Sequence, residues 1–176
     1  APRARGGAGA ARAEGGGGEP GKIGCYLLAQ EILEAIQPNR ICLAVGTQTT
    51  LKGIAEKTTC AITGFSALKG WKHTNERIEI TDEFCLGGYA KTSAALMEFI
   101  LDFYQQQNIL LDPVYTGKLM MGVHQRIAHG DWDGETIVVI HSGGLQGIFG
   151  YPELLQQLQN LDSNILKEIY EVSIKK

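Results

Sequence analysis

Ala44-Val45-Gly46-Thr47-Gln48-Thr49-Thr50-Leu51-Lys52-Gly53-Ile54 is the stretch on which the reading of this chain turns. It leaves a short apolar run, Arg40–Val45, and enters Thr49–Lys57, a segment with helical character. Turn signals bound the run, which suits a buried parallel strand. A helix start has unpaired backbone N–H groups and a partial positive charge. A phosphate placed there is held by those donors, and threonine hydroxyls add more. The same residues also suit a Thr-capped helix with no ligand. The lysine of a Walker motif and the G-x-G-x-x-G spacing are both absent, which counts against a nucleotide-binding α/β domain.

Upstream, Ile23, Tyr26, Leu27, Leu33 and Ile36 recur at near-helical spacing until Pro38-Asn39 ends the run. Downstream, Thr58–Gly64 and Arg77–Thr81 read as strands. Thr92–Gln107 reads as a helix with Leu96, Phe99, Ile100 and Phe103 on one face. Leu110–Val114 reaches a turn at Tyr115-Thr116-Gly117, so Tyr115 is expected at a strand end. Lys118–Ala128 resumes helix with Leu119, Val123 and Ile127 inward. Thr136–Ile140 has the strongest strand character, and Leu154–Glu171 reads as one helix with polar interruptions. Alternating strands and helices predict an α/β fold, a parallel sheet with helices on both faces. Ligands in such sheets bind beyond the carboxyl ends of the strands. That selects the loops Gly46–Thr50, Gly87–Lys91, Tyr115–Lys118 and His141–Gly144.

The bulk numbers fit one domain. A chain of 176 residues can bury a real core. The net charge of −3 gives no reason to expect nucleic acid or an anionic membrane as partner. No apolar run is long enough to span a bilayer. The 4 cysteines include no C-x-x-C pair. Cys42 and Cys60 lie in apolar runs and read as reduced core thiols, which fits a cytoplasmic setting better than secretion. Residues 1–13 contain only Ala, Arg, Gly and Pro. They lack the apolar core of a secretory signal, and the absence of Ser counts against a transit peptide. They are set apart as an atypical segment, and residues 14–176 are read as the domain.

Three further motifs carry chemistry. In His141-Ser142-Gly143-Gly144 two glycines allow a backbone or a flat ring to approach, and the Ser142 hydroxyl can bond a ring nitrogen. A tight turn with a helix cap is the plainer reading. In Asp112-Pro113-Val114-Tyr115-Thr116-Gly117-Lys118, Pro113 stiffens the approach and Gly117 allows a sharp turn. Tyr115 can stack or move a proton there, or simply fill the core. Lys118 in a first helical turn opposes the dipole and is expected to have an anionic partner. Gly87-Gly88-Tyr89 adds a second aromatic beside the same site. His73, His124 and His129 show no metal spacing and read as surface or structural residues.

Taken in order, these loops resemble the pyridoxal-phosphate enzymes that include 1-aminocyclopropane-1-carboxylate deaminase and D-cysteine desulfhydrase. The order runs Glu14-Gly15-Gly16, Val45–Thr50, Gly88-Tyr89, Asp112–Lys118, His141–Gly144 and Phe149-Gly150-Tyr151. The resemblance implies the large domain of a tryptophan-synthase-β-like fold, with residues 14–176 as its C-terminal part. It implies pyridoxal 5'-phosphate as cofactor, a small amino acid as substrate and a homodimer. Carried over by position, Gly46, Thr47, Gln48, Thr49 and Thr50 bind the phosphate, and Ser142 meets the pyridine nitrogen. Tyr115 and Tyr89 line the substrate side as the catalytic candidates, with Tyr115 the better for proton transfer.

Thr116 is assigned to the cofactor's surroundings. The cyclopropane-opening enzymes carry Glu after the tyrosine, and a carboxylate near the pyridine nitrogen deepens the electron sink. Thr lacks that charge, which tilts the expectation toward D-cysteine β-elimination. Gln48 stands where the family has a small residue; it either crowds the phosphate or adds an amide donor. The lysine that holds the cofactor's aldehyde lies, in the family, well upstream of the Glu-Gly-Gly segment. No lysine here matches it, and Lys52, Lys91 and Lys118 are not assigned that role. This chain alone is therefore expected to be inactive, a piece of an enzyme or a non-catalytic phosphate- or cofactor-binding homologue. A missing half would leave one sheet edge and some apolar helix faces uncovered.

Overall fold

The structure, a computed structural model, describes residues 19–174. The atypical segment 1–13 and Glu14-Gly15-Gly16 lie outside the described residues. Five strands form one sheet in the order β3-β4-β2-β1-β5. They are β1 (Arg40–Val45), β2 (Ala61–Ser66), β3 (His73–Thr74), β4 (Ile78–Thr81) and β5 (Ile137–Ile140). β1 runs parallel to β2 and β5, and β2 to β4; only the short β3 is antiparallel. The α/β fold with a mostly parallel sheet is as the alternation predicts.

Helices α1 (Glu19–Ala35) and α2 (Thr49–Lys57) cover one face. Ile41, Leu43 and Val45 of β1 point into it, as does Ile62 of β2, while Cys42 and Phe65 face the other side. That alternation is the period of two expected of a pleated strand. The opposite face is covered by α4 (Thr116–His129) through Leu119 and Val123, with Trp132 beside them. Behind α4, helices α3 (Ala94–Gln107), α5 (Pro152–Leu161) and α6 (Ile165–Ile174) enclose a separate apolar cluster around Leu96, Ile100, Leu111 and Ile148. Among the described residues no helix is long and apolar enough to cross a membrane.

Strand β1, Arg40–Val45, and helix α2, Thr49–Lys57, match the sequence reading to the residue. Other expectations are corrected. The second strand begins at Ala61, because Thr58 ends α2 with an N–H bond to Ile54 O and its hydroxyl accepts from Cys60 N. Helix α3 begins at Ala94, because Ser93 caps it by accepting from Leu96 N. The C-terminal helix is two: Asp162 closes α5, and its carboxylate accepts from Asn164 N just before α6. The near-helical spacing ahead of Pro38 falls on α1, but not all of its apolar residues turn inward. Ile23, Leu27 and Ile36 are exposed, while Ala29 is fully buried. Ile127 of α4 is exposed as well.

The reason for the α1 rotation is Gly53. A Cβ placed there would lie 2.4 Å from Cys25 Cβ, so α1 and α2 cross at backbone distance. Close approach sets Cys25 against α2, with Ala29, Leu28 and Ile32 packed into the core beside it. Gly53→Val is expected to destabilise the chain by about 1–3 kcal/mol through overpacking, read as a lower urea midpoint with unchanged slope. β5 is an edge strand. Ile137, Val138 and Val139 are only half-buried there although all are apolar.

Candidate cofactor and substrate site

Three chain segments meet beyond the carboxyl ends of β1 and β5. Together they line a cleft of about 250 Å³, formed by Ala44–Leu51, Tyr115 and Ser142–Gly144. The cleft thus joins the Gly46–Thr50 turn, the Tyr115 turn and the glycine pair after β5, which stand far apart in sequence. A larger hollow of about 710 Å³ lies between α3 and α5; Gly150 and Tyr151 line it, but no residue assigned to cofactor or substrate does, and Glu98 and Glu153 edge it.

The Gly46–Thr50 turn is built for donors. No side chain caps the start of α2, so its first N–H groups open into the cleft. The hydroxyls of Thr47 and Thr49 sit 3.3 Å apart beside them. Gln48 occupies the apex with φ 66 and ψ 3, the left-handed region. That conformation costs a side chain about 1–2 kcal/mol and glycine much less. A small residue therefore suits this apex on backbone grounds alone. Gln48→Gly is expected to raise stability by about 0.5–1 kcal/mol, visible as a higher thermal midpoint.

Across the cleft, Gly143 and Gly144 have φ of 82 and 87 and keep the wall free of side chains. Ser142 lines the cleft beside them. His141 has structural work: Gly143 N donates to its Nδ1 at 3.3 Å, and its Nε2 lies 2.8 Å from Leu110 O. Those partners fix the tautomer with the proton on Nε2, which ties β5 to the segment before α4.

Tyr115 forms the floor. A Cβ on Gly46 would lie 3.5 Å from both its Cε1 and its hydroxyl, so Gly46 leaves room for the ring. Tyr89 meets that ring edge-on at 6.0 Å between centroids and 66° between planes. Burial, followed by a hydrogen bond with the Tyr89 hydroxyl, pushes the Tyr115 phenol up to about 12. At neutral pH this phenol keeps its proton and acts as a donor.

The turn holding Tyr115 is no strand end. Asp112 is fully buried. Its Oδ2 accepts from Val114 N at 2.7 Å and Tyr115 N at 2.9 Å. Its Oδ1 accepts from Thr116 N and the Thr116 hydroxyl, both at 2.8 Å. These groups are then spent on one carboxylate, so no ladder can form at Leu110–Val114 and α4 starts at once. The sequence reading missed Asp112 as the organiser of this turn. Helix-start carboxylates two to four residues before a helix are a recognisable signal.

Thr116 does not line the cleft. Its hydroxyl is fully engaged with Asp112, and it borders a neighbouring apolar recess with Leu119 and His141. Lys118 is also corrected. Among the described residues it forms no salt bridge; its buried ammonium donates to Cys85 O and Gly88 O. Among the described residues no lysine lines the cleft, and no group of three or more His, Cys, Asp or Glu could hold a metal.

Comparison with known proteins gives relatives of part of this chain. No protein-family model matches the chain. A Pyrococcus abyssi protein named for 1-aminocyclopropane-1-carboxylate deaminase is 38% identical over 76 residues, 43% of this chain and 23% of that protein. A mitochondrial bifunctional D-cysteine desulfhydrase/1-aminocyclopropane-1-carboxylate deaminase of Arabidopsis thaliana is 33% identical over 79 residues, 44% of this chain and 19% of the relative. A Salmonella newport D-cysteine desulfhydrase is 36% identical over 75 residues, 42% of this chain and 23% of the relative. Among solved structures, a crystal structure of an ACC deaminase homologue superposes with a TM-score of 0.70 at 23% identity, over 82% of this chain and 52% of its own. The chain thus spans about half of that structure, and the matched segments about a quarter or less of the curated relatives. The chain is thus similar in sequence, over less than half of its length, to parts of proteins named for 1-aminocyclopropane-1-carboxylate deaminase and D-cysteine desulfhydrase, and in fold to about half of an ACC deaminase homologue.

Proposed function

We propose that the chain is the C-terminal part of the large domain of a pyridoxal-phosphate-dependent lyase or deaminase acting on a small amino acid. The observation that carries this is the cleft itself, where donor-rich turn, aromatic floor and side-chain-free glycine wall face one another. Pyridoxal 5'-phosphate fits that donor set: an anion for the start of α2, a flat ring for the space beside Gly143 and Gly144. When bound, it withdraws electrons from the substrate's α-carbon. The N–H groups of the turn, with Thr47, Thr49, Thr50 and the Gln48 amide, hold the phosphate. Ser142 holds the pyridine nitrogen by a neutral hydrogen bond. Tyr115 packs on the ring and carries a proton on its phenol oxygen toward the substrate side. Tyr89 holds that phenol by its own hydroxyl. Thr116 acts through Asp112, on the shape of the turn.

The lining also bears on substrate. Among the described residues it contains no carboxylate, since Asp112 lies outside it and spends both oxygens on the turn. A neutral lining favours elimination of a good leaving group over opening of an unactivated ring. With the whole protein and pyridoxal phosphate, D-cysteine is expected to release sulfide and ammonia, with the cyclopropane amino acid turned over slowly. Turnover of the cyclopropane substrate alone would overturn this.

A second reading rests on the cleft lining, where no lysine stands among the described residues: non-covalent binding of a phosphate or cofactor, without turnover. Borohydride reduction of the whole, cofactor-loaded protein followed by mass analysis separates the two. A lysine adduct excludes this second reading. Retention of cofactor with no adduct excludes the enzyme.

A further inference from the structure

Lys118 ends the Asp112–Lys118 string and takes no part in the cleft, yet it is only 2% exposed. Its ammonium donates to Cys85 O at 2.9 Å and Gly88 O at 3.1 Å. Between and beyond those carbonyls the backbone is unusual. Leu86, Gly87, Gly88 and Ala90 have φ of 54, 96, 139 and 55. For Leu86 and Ala90 such a conformation persists only where the surroundings impose it. Tyr151 fastens the far end, its hydroxyl donating to Ala90 O at 2.8 Å. Between these two fastenings stands Tyr89, its side chain exposed and its ring edge on Tyr115.

We propose that Lys118 is a positioning residue: its buried ammonium pins the Cys85–Ala90 loop in the backbone conformation that seats Tyr89 against Tyr115 at the cleft. The inference rests on the reading of those two tyrosines as the substrate-side pair. It gives a physical use to a cation that burial otherwise disfavours. Burial lowers the pKa of Lys118, and two carbonyl dipoles take the place of a carboxylate in holding the charge. The string thereby sets both rings, Asp112 shaping the turn of Tyr115 and Lys118 the loop of Tyr89.

Hydrogen exchange on the 176-residue chain tests this without cofactor. The amides of Gly88 and Lys91 donate to the same two carbonyls, Cys85 O and Gly88 O. Lys118→Met keeps an unbranched apolar stem and leaves each carbonyl one amide partner, so the fold is expected to survive. Exchange at Gly88 and Lys91 is expected to rise about tenfold or more, with β1 and β2 as protected as before. Unchanged protection in the loop would overturn the proposal.

Tyr89→Ala supplies the second arm, and it decides if Lys118→Met loses protection throughout. A loop pinned by Lys118 keeps its protection without the tyrosine. A loop held only by the Tyr89–Tyr115 contact loses it, which would overturn the proposal. In the whole, cofactor-loaded protein, Lys118→Met and Tyr89→Ala are expected to lower kcat by similar factors, and the double variant no further than either. A loosened loop with unaltered turnover would support the pin and remove the tyrosines from the reaction, so the two ideas fail separately.

Discussion

Replacing Asp112 with alanine is expected to cost about 3–5 kcal/mol of stability and to disorganise the Tyr115 turn. The size follows from the partners. Asp112 is fully buried and accepts from three backbone N–H groups and one hydroxyl. Alanine leaves all four donors without their acceptor where water cannot reach Asp112's position. Gly117 N, which donates to Asp112 O at 2.8 Å, keeps its bond, so the loss belongs to the carboxylate. Asparagine is expected to recover part of it, because one oxygen remains. Urea unfolding of both variants measures the order. A cost for Asp112→Ala below about 1 kcal/mol would show that the turn is held by packing instead.

Tyr115→Phe is expected to lower kcat of the whole enzyme by about 10²- to 10⁴-fold while changing KM little. The ring that packs against Gly46 is kept, so binding by contact is kept; only the proton is lost. The phenol is raised to about 12, first by burial and then by the Tyr89 hydroxyl. An acid raised in this way is protonated below that pH and charged above it. Any alkaline loss of activity through Tyr115 therefore falls near pH 12, and Tyr89→Phe is expected to bring it down. Equal kcat in Tyr115→Phe and the parent would reduce Tyr115 to a stacking surface.

The Gly46–Thr50 turn was legible because every signal in it is local. An apolar run, a glycine and three threonines at a helix start lie within eleven residues, and strand and helix there match the reading to the residue. Tyr115 and Ser142 were legible as motifs, and the cleft holds both. Thr116 was legible only by its place after the tyrosine. Nothing local says that its hydroxyl turns to Asp112 rather than to the cleft. The inward side of α1 was not legible for a related reason. Hydrophobic spacing counts apolar side chains, but it does not say that Gly53 brings α2 against Cys25, or that Leu28 and Ile32 pack inward while Ile23 and Leu27 stay exposed.

Local patterning, then, was enough for the α/β class, the donor-rich start of α2 and the identity of the aromatic candidates. Those depend on backbone propensities and on side chains within a turn or two. Which groups meet across the chain was decided by folding. Parallel pairing of β1 with β5 sets Gly46–Thr50 opposite Ser142–Gly144, nearly a hundred residues on. Packing of α4 delivers Lys118 to carbonyls some thirty residues upstream. A buried cation accepts whatever oxygen the fold brings to it, and no spacing along the chain encodes that meeting.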